Sequence, residues 1–315
     1  MLTVDNTILA ATAACSTKAA MRYVLGLVPI EQETDSGPMI AGQAAHAALD
    51  GFLRTGDADK ALEEFDAVYV PYLAAREAAG NPIPDNDRLA PANVKACLEE
   101  WMQTHQTLPY TVDPQRVEVG FSVPLALEVT FVGRMDGLVQ TQGAWYVLEH
   151  KTTGRMDTRW RARFRSSAQI TGYVWAATVQ EKLPVVGCYV NGIEFAKLPS
   201  DDKRKCRTHG VAYAECGMHH ARSDLVVELR SPAQLEQWQQ TAVQMAQRFL
   251  RLREVVKGPE DVRTLPMEGT LTGECVWCPF QTWCMLGRPA EAAKVMFREE
   301  RWEPYKHAFQ EEVEG

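Results

Sequence analysis

Three consecutive segments in the middle of the chain alternate apolar and polar residues with a period of two, and they constrain the fold more than any other feature. The segments are RVEVGFSVPL, LEVTFVGRMDGLVQ and AWYVLEHKTT, separated by short turns. This alternation is typical of β-strands with one buried face, and short turns join antiparallel neighbours. The sequence therefore predicts an antiparallel three-stranded meander over residues 116–153.

Helical patterns flank the meander on both sides. Helices are predicted near residues 17–30, 37–56, 59–79, 91–107, 166–182 and 232–256, with further strands near 185–195 and 224–230. Strands held between helices predict an α/β fold in one domain. Within it we expect a helical part (1–112), a core (113–230), and a long helix followed by a cysteine-rich C-terminal segment (231–315).

Glu149 and Lys151 present an acid and a base together on the third strand. They are two residues apart, so both side chains leave one face of the strand while His150 leaves the other. A two-residue turn at Gln142–Gly143 would set Asp136 opposite Glu149, whereas a three-residue turn would put them on opposite faces. Two convergent carboxylates repel each other unless a cation such as Mg²⁺ or Mn²⁺ lies between them. The alternative is an ordinary surface Glu–Lys pair.

Two predicted helices contain further candidate residues. Gln169 and Tyr173 are four positions apart, so they share one helix face, although such a pair is more often an ordinary helix surface. His46 lies in the Ala-rich helix GQAAHAALD, where a lone histidine is more often packed or solvated than a metal ligand.

The motifs GRMDGL, LEHK and QITGY, in this order, resemble the motif set of the PD-(D/E)XK nucleases, and of their RecB-like branch in particular. The resemblance extends over nearly the whole chain and implies a restriction-endonuclease-like mixed sheet flanked by helices. The middle part of the chain would then be the nuclease core. The positions that match the family's catalytic and supporting residues are Asp136, Glu149, Lys151, Gln169 and Tyr173.

The same resemblance implies a divalent metal at the carboxylates. In this family the residues matched by Asp136 and Glu149 ligate the metal, and the RecB-like branch adds a histidine on an upstream helix, which His46 matches. We include His150 among the candidate ligands. A nitrogen ligand makes Mn²⁺ an alternative to Mg²⁺.

The cysteines near the C-terminus have the spacing of a cluster-binding loop. Cys275, Cys278 and Cys284 form Cys-x2-Cys-x5-Cys, and Cys15 at the start of the N-terminal helix is the candidate for a fourth ligand. The resemblance implies a four-iron, four-sulfur (4Fe-4S) cluster, because related nucleases have one cysteine in such a place and three near the C-terminus. Structural Zn²⁺ and unrelated buried cysteines remain alternatives.

A second group of ligand-type residues lies in the polar segment between two predicted strands. Cys206, His209, Cys216 and His219 suit Zn²⁺ by type, but the gap between the two pairs is shorter than in familiar zinc fingers. The charged neighbours DDKRK indicate an ordinary polar loop as the alternative.

The segment TTGRMDTRWRARFRSS follows Lys151 directly and interleaves arginines with aromatic residues. Arginine suits phosphate and aromatic rings suit unstacked bases, so we expect the segment to guide a single strand across the site. A solvated basic loop is the alternative. The residues predicted to contact nucleic acid are Arg155, Arg159, Trp160, Arg161 and Arg163.

The net charge of −8, from 41 acidic and 33 basic residues, argues against indiscriminate coating of nucleic acid but leaves room for a local basic track. The chain has no apolar run of membrane-helix length and no basic secretory start, so we expect a cytoplasmic protein without membrane contact.

The function that we expect is a metal-dependent DNA nuclease. It would be an exonuclease on single-stranded ends, similar to CRISPR-associated and phage iron–sulfur exonucleases, acting in recombination, repair or CRISPR adaptation with possible protein partners. The alternatives are a DNA-binding or scaffolding subunit of a larger helicase–nuclease or adaptation complex, and a nuclease acting on RNA.

Overall fold

The computed structural model of the chain describes residues 1–30, 36–85, 87–105, 107–195, 211–212 and 222–309. The candidate zinc ligands from Cys206 to His219 lie outside these ranges. No helix in the described ranges is long and apolar enough to cross a membrane.

The strands include all three members of the predicted meander. The eight described strands are β1 (Leu2–Val4), β2 (Leu27–Pro29), β3 (Thr111–Ala126), β4 (Val129–Thr141), β5 (Ala144–Thr153), β6 (Val185–Glu194), β7 (Arg222–Leu229) and β8 (Phe297–Glu299). The prediction of a meander is confirmed, because β3, β4 and β5 pair as antiparallel neighbours.

Helices cover most of the described chain outside the sheet. They are α1 (Asn6–Ala14), α2 (Ser16–Ala19), α3 (Gly37–Thr55), α4 (Ala58–Ala78), α5 (Pro91–Thr104), α6 (Thr158–Ala162), α7 (Ala168–Glu181), α8 (Pro232–Val255), α9 (Pro259–Val262), α10 (Gly269–Thr272), α11 (Gln281–Met285), α12 (Ala290–Met296) and α13 (Pro304–Phe309). The helix predicted over residues 17–30 is shorter than expected. It continues α2 as a π-helical turn, Ala20–Val24, and gives way to β2 after Gly26, whose φ of 66° is left-handed.

Six strands form one mixed sheet. β4 pairs with β3 along one edge, and its other edge pairs first with β1 in parallel and then with β5 in antiparallel orientation. The sheet continues from β5 to β6 in parallel and from β6 to β7 in antiparallel orientation. Helices α1, α7 and α8 share a hydrophobic core with one face of this sheet, and α3, α4 and α5 build a second core against β6. The architecture is therefore mixed α/β with a central mixed sheet, as predicted.

The hairpin between β4 and β5 sets the register of the candidate carboxylates. Its turn consists of two residues, Gln142 and Gly143, with φ angles of 49° and 81°, the backbone of a tight primed turn. The pairs run from Thr141 opposite Ala144 to Gly137 opposite Leu148, which makes Asp136 and Glu149 the next pair in the same register. Of the two turn lengths considered, the structure has the one that brings the carboxylates together.

Candidate active site

Asp136 and Glu149 form the centre of the site. Both are buried, and the Asp136 carboxylate accepts a hydrogen bond at 2.5 Å from the backbone N–H of His150 on the neighbouring strand. One oxygen of Glu149, Oε2, is buried without a hydrogen-bond partner in the described part of the chain. A buried carboxylate oxygen without a donor is costly in free energy unless a cation or another donor reaches it.

Lys151 and two residues of α7 form a chain of contacts beside the carboxylates. The Lys151 ammonium makes an ion pair with Glu149 and donates a hydrogen bond to Oε1 of Gln169 at 3.3 Å. The amide of Gln169 in turn donates to the hydroxyl of Tyr173 at 3.1 Å. The four-residue spacing of Gln169 and Tyr173 therefore puts both side chains on the helix face directed at Lys151.

His46 approaches the carboxylates from α3. It lies near the middle of this helix, and its Nδ1 is 3.3 Å from Oδ1 of Asp136. Gly42 lets the helix approach β5 closely, since a Cβ at this position would be only 3.2 Å from the hydroxyl oxygen of Thr152. The structure thus brings His46 to Asp136, as the predicted ligand role requires.

The ring of His150 is turned away from Glu149 and Lys151, as the strand alternation predicts. The ring is fully buried, its Nδ1 is 2.8 Å from the side-chain amide of Asn191, and its Nε2 is 3.8 Å from Oδ1 of Asp50. What His150 directs at the carboxylates is its backbone N–H. A ligand role for its ring stays a prediction without support from this geometry.

The charges of the site depend strongly on one another. Burial opposes ionisation of Asp136, but the charge and hydrogen bond of His46 outweigh it and lower the Asp136 pKa. Burial raises the pKa of Glu149, the ion pair with Lys151 opposes this rise, and the charge of Asp136 adds to it. Burial lowers the pKa of His150 to about 4, so its ring is neutral at pH 7. Two carboxylates in this position need positive charge nearby, and the Lys151 ammonium supplies one such charge.

These residues fit a divalent cation by their chemistry. Two carboxylates and an imidazole suit Mg²⁺ or Mn²⁺, and the unpartnered oxygen of Glu149 is available as a ligand. In the described ranges no three His, Cys, Asp or Glu side chains already stand in the geometry of a metal-binding group. Lys151 now pairs with the Glu149 carboxylate, so the donors would rearrange around a bound ion.

A family model described as "PD-(D/E)XK nuclease superfamily" matches residues 6–285, which include all of these side chains. This chain belongs to the PD-(D/E)XK nuclease superfamily. The carboxylates, the lysine and the glutamine lie within the matched range and form the candidate nuclease centre.

Comparisons with other proteins give weaker similarities. A solved structure from Eubacterium rectale described as "Putative exonuclease" has a TM-score of 0.46 and 9% identity, covering 79% of this chain and 80% of its own. The structure of SSO0001 has a TM-score of 0.30 and 12% identity, covering 83% of this chain and 90% of its own. No curated protein sequence matches.

Two cavities meet at the His46–Asp136 pair of the nuclease centre. One, of about 360 Å³, includes Glu149 and Lys151 in its lining, and the other, of about 720 Å³, includes Asp50. His46 and Asp136 line both cavities.

Residues that the motifs did not indicate line the smaller cavity. Asp5 accepts a hydrogen bond from the indole N–H of Trp302 at 2.7 Å, and the ring of His307 stacks on Trp302 with centroids 3.9 Å apart. Almost the whole chain separates Asp5 from Trp302 and His307, so no local sequence pattern could have indicated that they are in contact. The C-terminal segment thereby forms one wall of the smaller cavity.

The arginine segment after β5 is divided between solvent and core. Arg155, Arg159, Arg161 and Arg163 are exposed, and Arg161 makes an ion pair with Asp224 at 2.5 Å. The prediction that Trp160 stacks on a base needs correction. Its ring is buried in the main core.

The backbone of β6 explains why Trp160 is buried. Its ring packs edge to face on Phe164 and lies against Gly192, where an added Cβ would be 2.1 Å from the ring. Trp160 and Phe164 are four residues apart, so both side chains lie on the inward side of this segment, whereas the arginines between them are exposed. The arginines remain candidates for phosphate contacts, and the buried ring of Trp160 anchors the segment to the main core.

We expect the double substitution of Arg159 and Arg161 by alanine to weaken DNA binding and to flatten its dependence on salt. For single-stranded DNA, removal of each arginine–phosphate interaction should reduce the slope of log K against log salt concentration by about 0.7. Fluorescence anisotropy over a series of salt concentrations measures both effects. Arg253→Ala, at the exposed end of α8, is the matched control. An unchanged slope in the double variant would remove this segment from the binding surface.

The four candidate cluster ligands all lie in the described ranges as free thiols. Cys15 and Cys275 meet over Gly269, where an added Cβ would be 3.2 Å from Sγ of Cys275 and 3.6 Å from Cβ of Cys15. Burial raises the pKa of Cys284 to about 11, and the nearby thiols of Cys278, Cys15 and Cys275 add to the rise. Gly269 therefore lies against both Cys15 and Cys275. Among the described residues, however, the cysteines do not stand in the geometry of a metal-binding group.

A polar clamp joins the residue after Cys15 to the cysteine-rich segment. Glu268 accepts hydrogen bonds from the backbone N–H and the hydroxyl of Ser16, each at 2.9 Å. Arg248 of α8 makes an ion pair with Glu268 and donates to the Ser16 hydroxyl at 2.5 Å. The two ends of the chain are thus held together at Cys15 by contacts that do not involve a thiol.

Proposed function

We propose that this protein is a deoxyribonuclease that uses Mg²⁺ or Mn²⁺. The observation that supports this most is the buried, unpartnered oxygen of Glu149, opposite Asp136 and beside Lys151. A divalent cation at these carboxylates would lower the pKa of a water and neutralise charge on the scissile phosphate. His46, Asp136 and Glu149 would be its side-chain ligands.

The side chains around the carboxylates have separate roles in this proposal. Lys151 would stabilise the negative charge that develops on the phosphate, because its ammonium already lies beside the proposed metal ligand Glu149. Gln169 would orient that ammonium through its hydrogen bond, and Tyr173 would fix the amide of Gln169. Burial and the charge of Glu149 raise the Tyr173 pKa, so its hydroxyl keeps its proton as a hydrogen-bond partner.

The proposed substrate is single-stranded DNA with a free end, degraded as an exonuclease does. Exposed arginines follow the strand of Lys151 directly, and the stacked rings of Trp302 and His307 form one wall of the smaller cavity. Basic side chains near aromatic rings favour a strand with unpaired bases. The proposed setting is recombination, repair or CRISPR adaptation, with the protein partners of such a complex.

We further propose that Cys15, Cys275, Cys278 and Cys284 bind a 4Fe-4S cluster with a structural role. Four cysteines are the type and number of ligands that such a cluster takes, and two of them, Cys15 and Cys275, both lie against Gly269. The thiols would rearrange around the bound cluster. The cluster would close a loop of 260 residues between Cys15 and Cys275.

The experiment that tests the activity is incubation of end-labelled DNA with Mg²⁺, Mn²⁺ or EDTA. We expect linear single strands to be shortened from an end, circular single strands to survive, and EDTA to stop the reaction. RNA of the same sequence is the matched comparison for the sugar. Binding of DNA without any cleavage in either metal would instead favour the scaffolding role, and cleavage of circles would contradict the exonuclease.

A further inference from the structure

Two buried polar atoms behind the nuclease centre have no hydrogen-bond partner among the described residues and face each other. They are Nε2 of His150 and Oδ1 of Asp50, 3.8 Å apart. Both residues are almost completely buried. Unpartnered buried donors and acceptors are rare in folded proteins, so this pair requires an explanation.

The hydrogen bonds around His150 determine which atom carries its proton. The indole of Trp101 can only donate, and it donates at 2.9 Å to Oδ1 of Asn191, which turns the amide nitrogen of Asn191 toward Nδ1 of His150. Nδ1 therefore accepts, and the proton of the neutral ring is on Nε2. This N–H is directed at Asp50.

Asp50 presents an acceptor to that N–H. Its other carboxyl oxygen is hydrogen-bonded to Glu118, which in turn binds Nε of Arg134 at 2.7 Å. Oδ1 of Asp50, which faces His150, has no other hydrogen-bond partner among the described residues. It is free to accept the N–H, and an approach of ~1 Å completes the bond.

Asp50 is placed so that its contact with His150 links helix α3 to strand β5. Asp50 is four residues after His46 on α3, so the two side chains share a helix face. His150 is the residue of β5 whose backbone N–H binds the Asp136 carboxylate. A bond between Asp50 and His150 would therefore join the helix of one candidate metal ligand to the strand that orients another.

We propose that Asp50 is a positioning residue of the nuclease centre, which accepts a hydrogen bond from Nε2 of His150 and thereby sets the distance between His46 and the carboxylates. This inference rests on the proposed metal-dependent function. Asp50 touches neither the metal nor the substrate, and the effect of losing it is on the affinity for the metal. Groups that orient metal ligands typically contribute about 10- to 100-fold to metal affinity.

The test compares Asp50→Ala with Asp50→Asn. The asparagine keeps an oxygen toward His150 and can donate an N–H to Glu118, so it should keep the wild-type affinity for Mn²⁺. The alanine removes both and should weaken Mn²⁺ binding by about 10- to 100-fold, with a smaller loss of rate at saturating Mn²⁺. Calorimetric titration with Mn²⁺ in the absence of DNA measures the affinity, and a Mn²⁺ series in the nuclease assay measures the rate.

The matched control is Leu49→Val, which shortens a fully buried side chain of the same helix without touching the polar network. Its Mn²⁺ affinity should equal that of the wild type. Equal Mn²⁺ affinities in Asp50→Ala and the wild type would overturn the inference, as would an asparagine variant as weak as the alanine variant. If the wild-type chain itself binds no Mn²⁺, the proposed function fails first.

Discussion

Alanine at Asp136, Glu149 or Lys151 should each remove DNA cleavage, with the rate at saturating DNA falling by about 100- to 10,000-fold. Either carboxylate substitution removes a proposed metal ligand, and the lysine substitution removes the ammonium that pairs with Glu149. DNA affinity should change much less, because phosphate contacts by the exposed arginines remain. Single-turnover cleavage and anisotropy measured on the same preparations separate the two effects.

Loss of folding is the competing explanation for a variant that does not cleave DNA, and the chain offers a control for it. Asp66 makes an ion pair with Lys95 at 2.6 Å between α4 and α5, away from both cavities. Asp66→Asn removes the carboxylate of a partly exposed carboxylate–lysine pair and should leave cleavage unchanged. Near-wild-type cleavage by the variant at Asp136, Glu149 or Lys151 would exclude that residue from the mechanism.

The sheet could be predicted closely because its signals are local. The segment AWYVLEHKTT is β5 from its first residue to its last, and the short turn at Gln142–Gly143 sets the register that brings Asp136 opposite Glu149. Strand alternation and turn length are short-range properties, so the sequence specifies them directly. The same holds for the four-residue spacing of Gln169 and Tyr173.

What could not be predicted depends on contacts between distant parts of the chain. β1 has only three residues, and its role as a parallel neighbour of β4 has no periodicity to indicate it. The burial of Trp160 depends on Gly192 in β6, and the role of Asp50 depends on His150 and Glu118. A single acidic residue on an amphipathic helix is ordinarily solvated, so its burial becomes visible only when the helix is packed on the sheet.

The cysteines illustrate both cases. The spacing of Cys275, Cys278 and Cys284 is local, and it predicted three of the proposed ligands without the fold. The proximity of Cys15 is a long-range property, and in the structure it rests on the clamp of Ser16 by Glu268 and Arg248. Because the contacts of Ser16 with Glu268 and Arg248 do not involve a thiol, they should keep the N-terminal helix near the C-terminal segment when the thiol of Cys15 is removed. A variant at Cys15 should therefore fold.

Cys15→Ser should abolish the brown absorbance of anaerobically purified protein and lower its melting temperature. Three cysteines leave one iron of a 4Fe-4S cluster without a protein ligand, and the cross-link between the ends of the chain disappears. In the chain-entropy model a cross-link that closes so long a loop contributes about 4 kcal/mol or more, from which the clamp at Glu268 retains a part. Iron and sulfide analysis, the visible spectrum and thermal melting measure these effects separately.

The matched control is Cys97→Ser, since Cys97 is as buried as Cys15 but belongs to the core between α3, α4 and α5. It should lose stability without losing iron, whereas Cys15→Ser should lose both. Nuclease activity should fall in Cys15→Ser because the C-terminal segment, which includes Trp302 and His307, lines the cavity at the proposed nuclease centre. Zinc without iron in the wild-type protein, or a full complement of iron and sulfide in Cys15→Ser, would contradict the cluster as proposed.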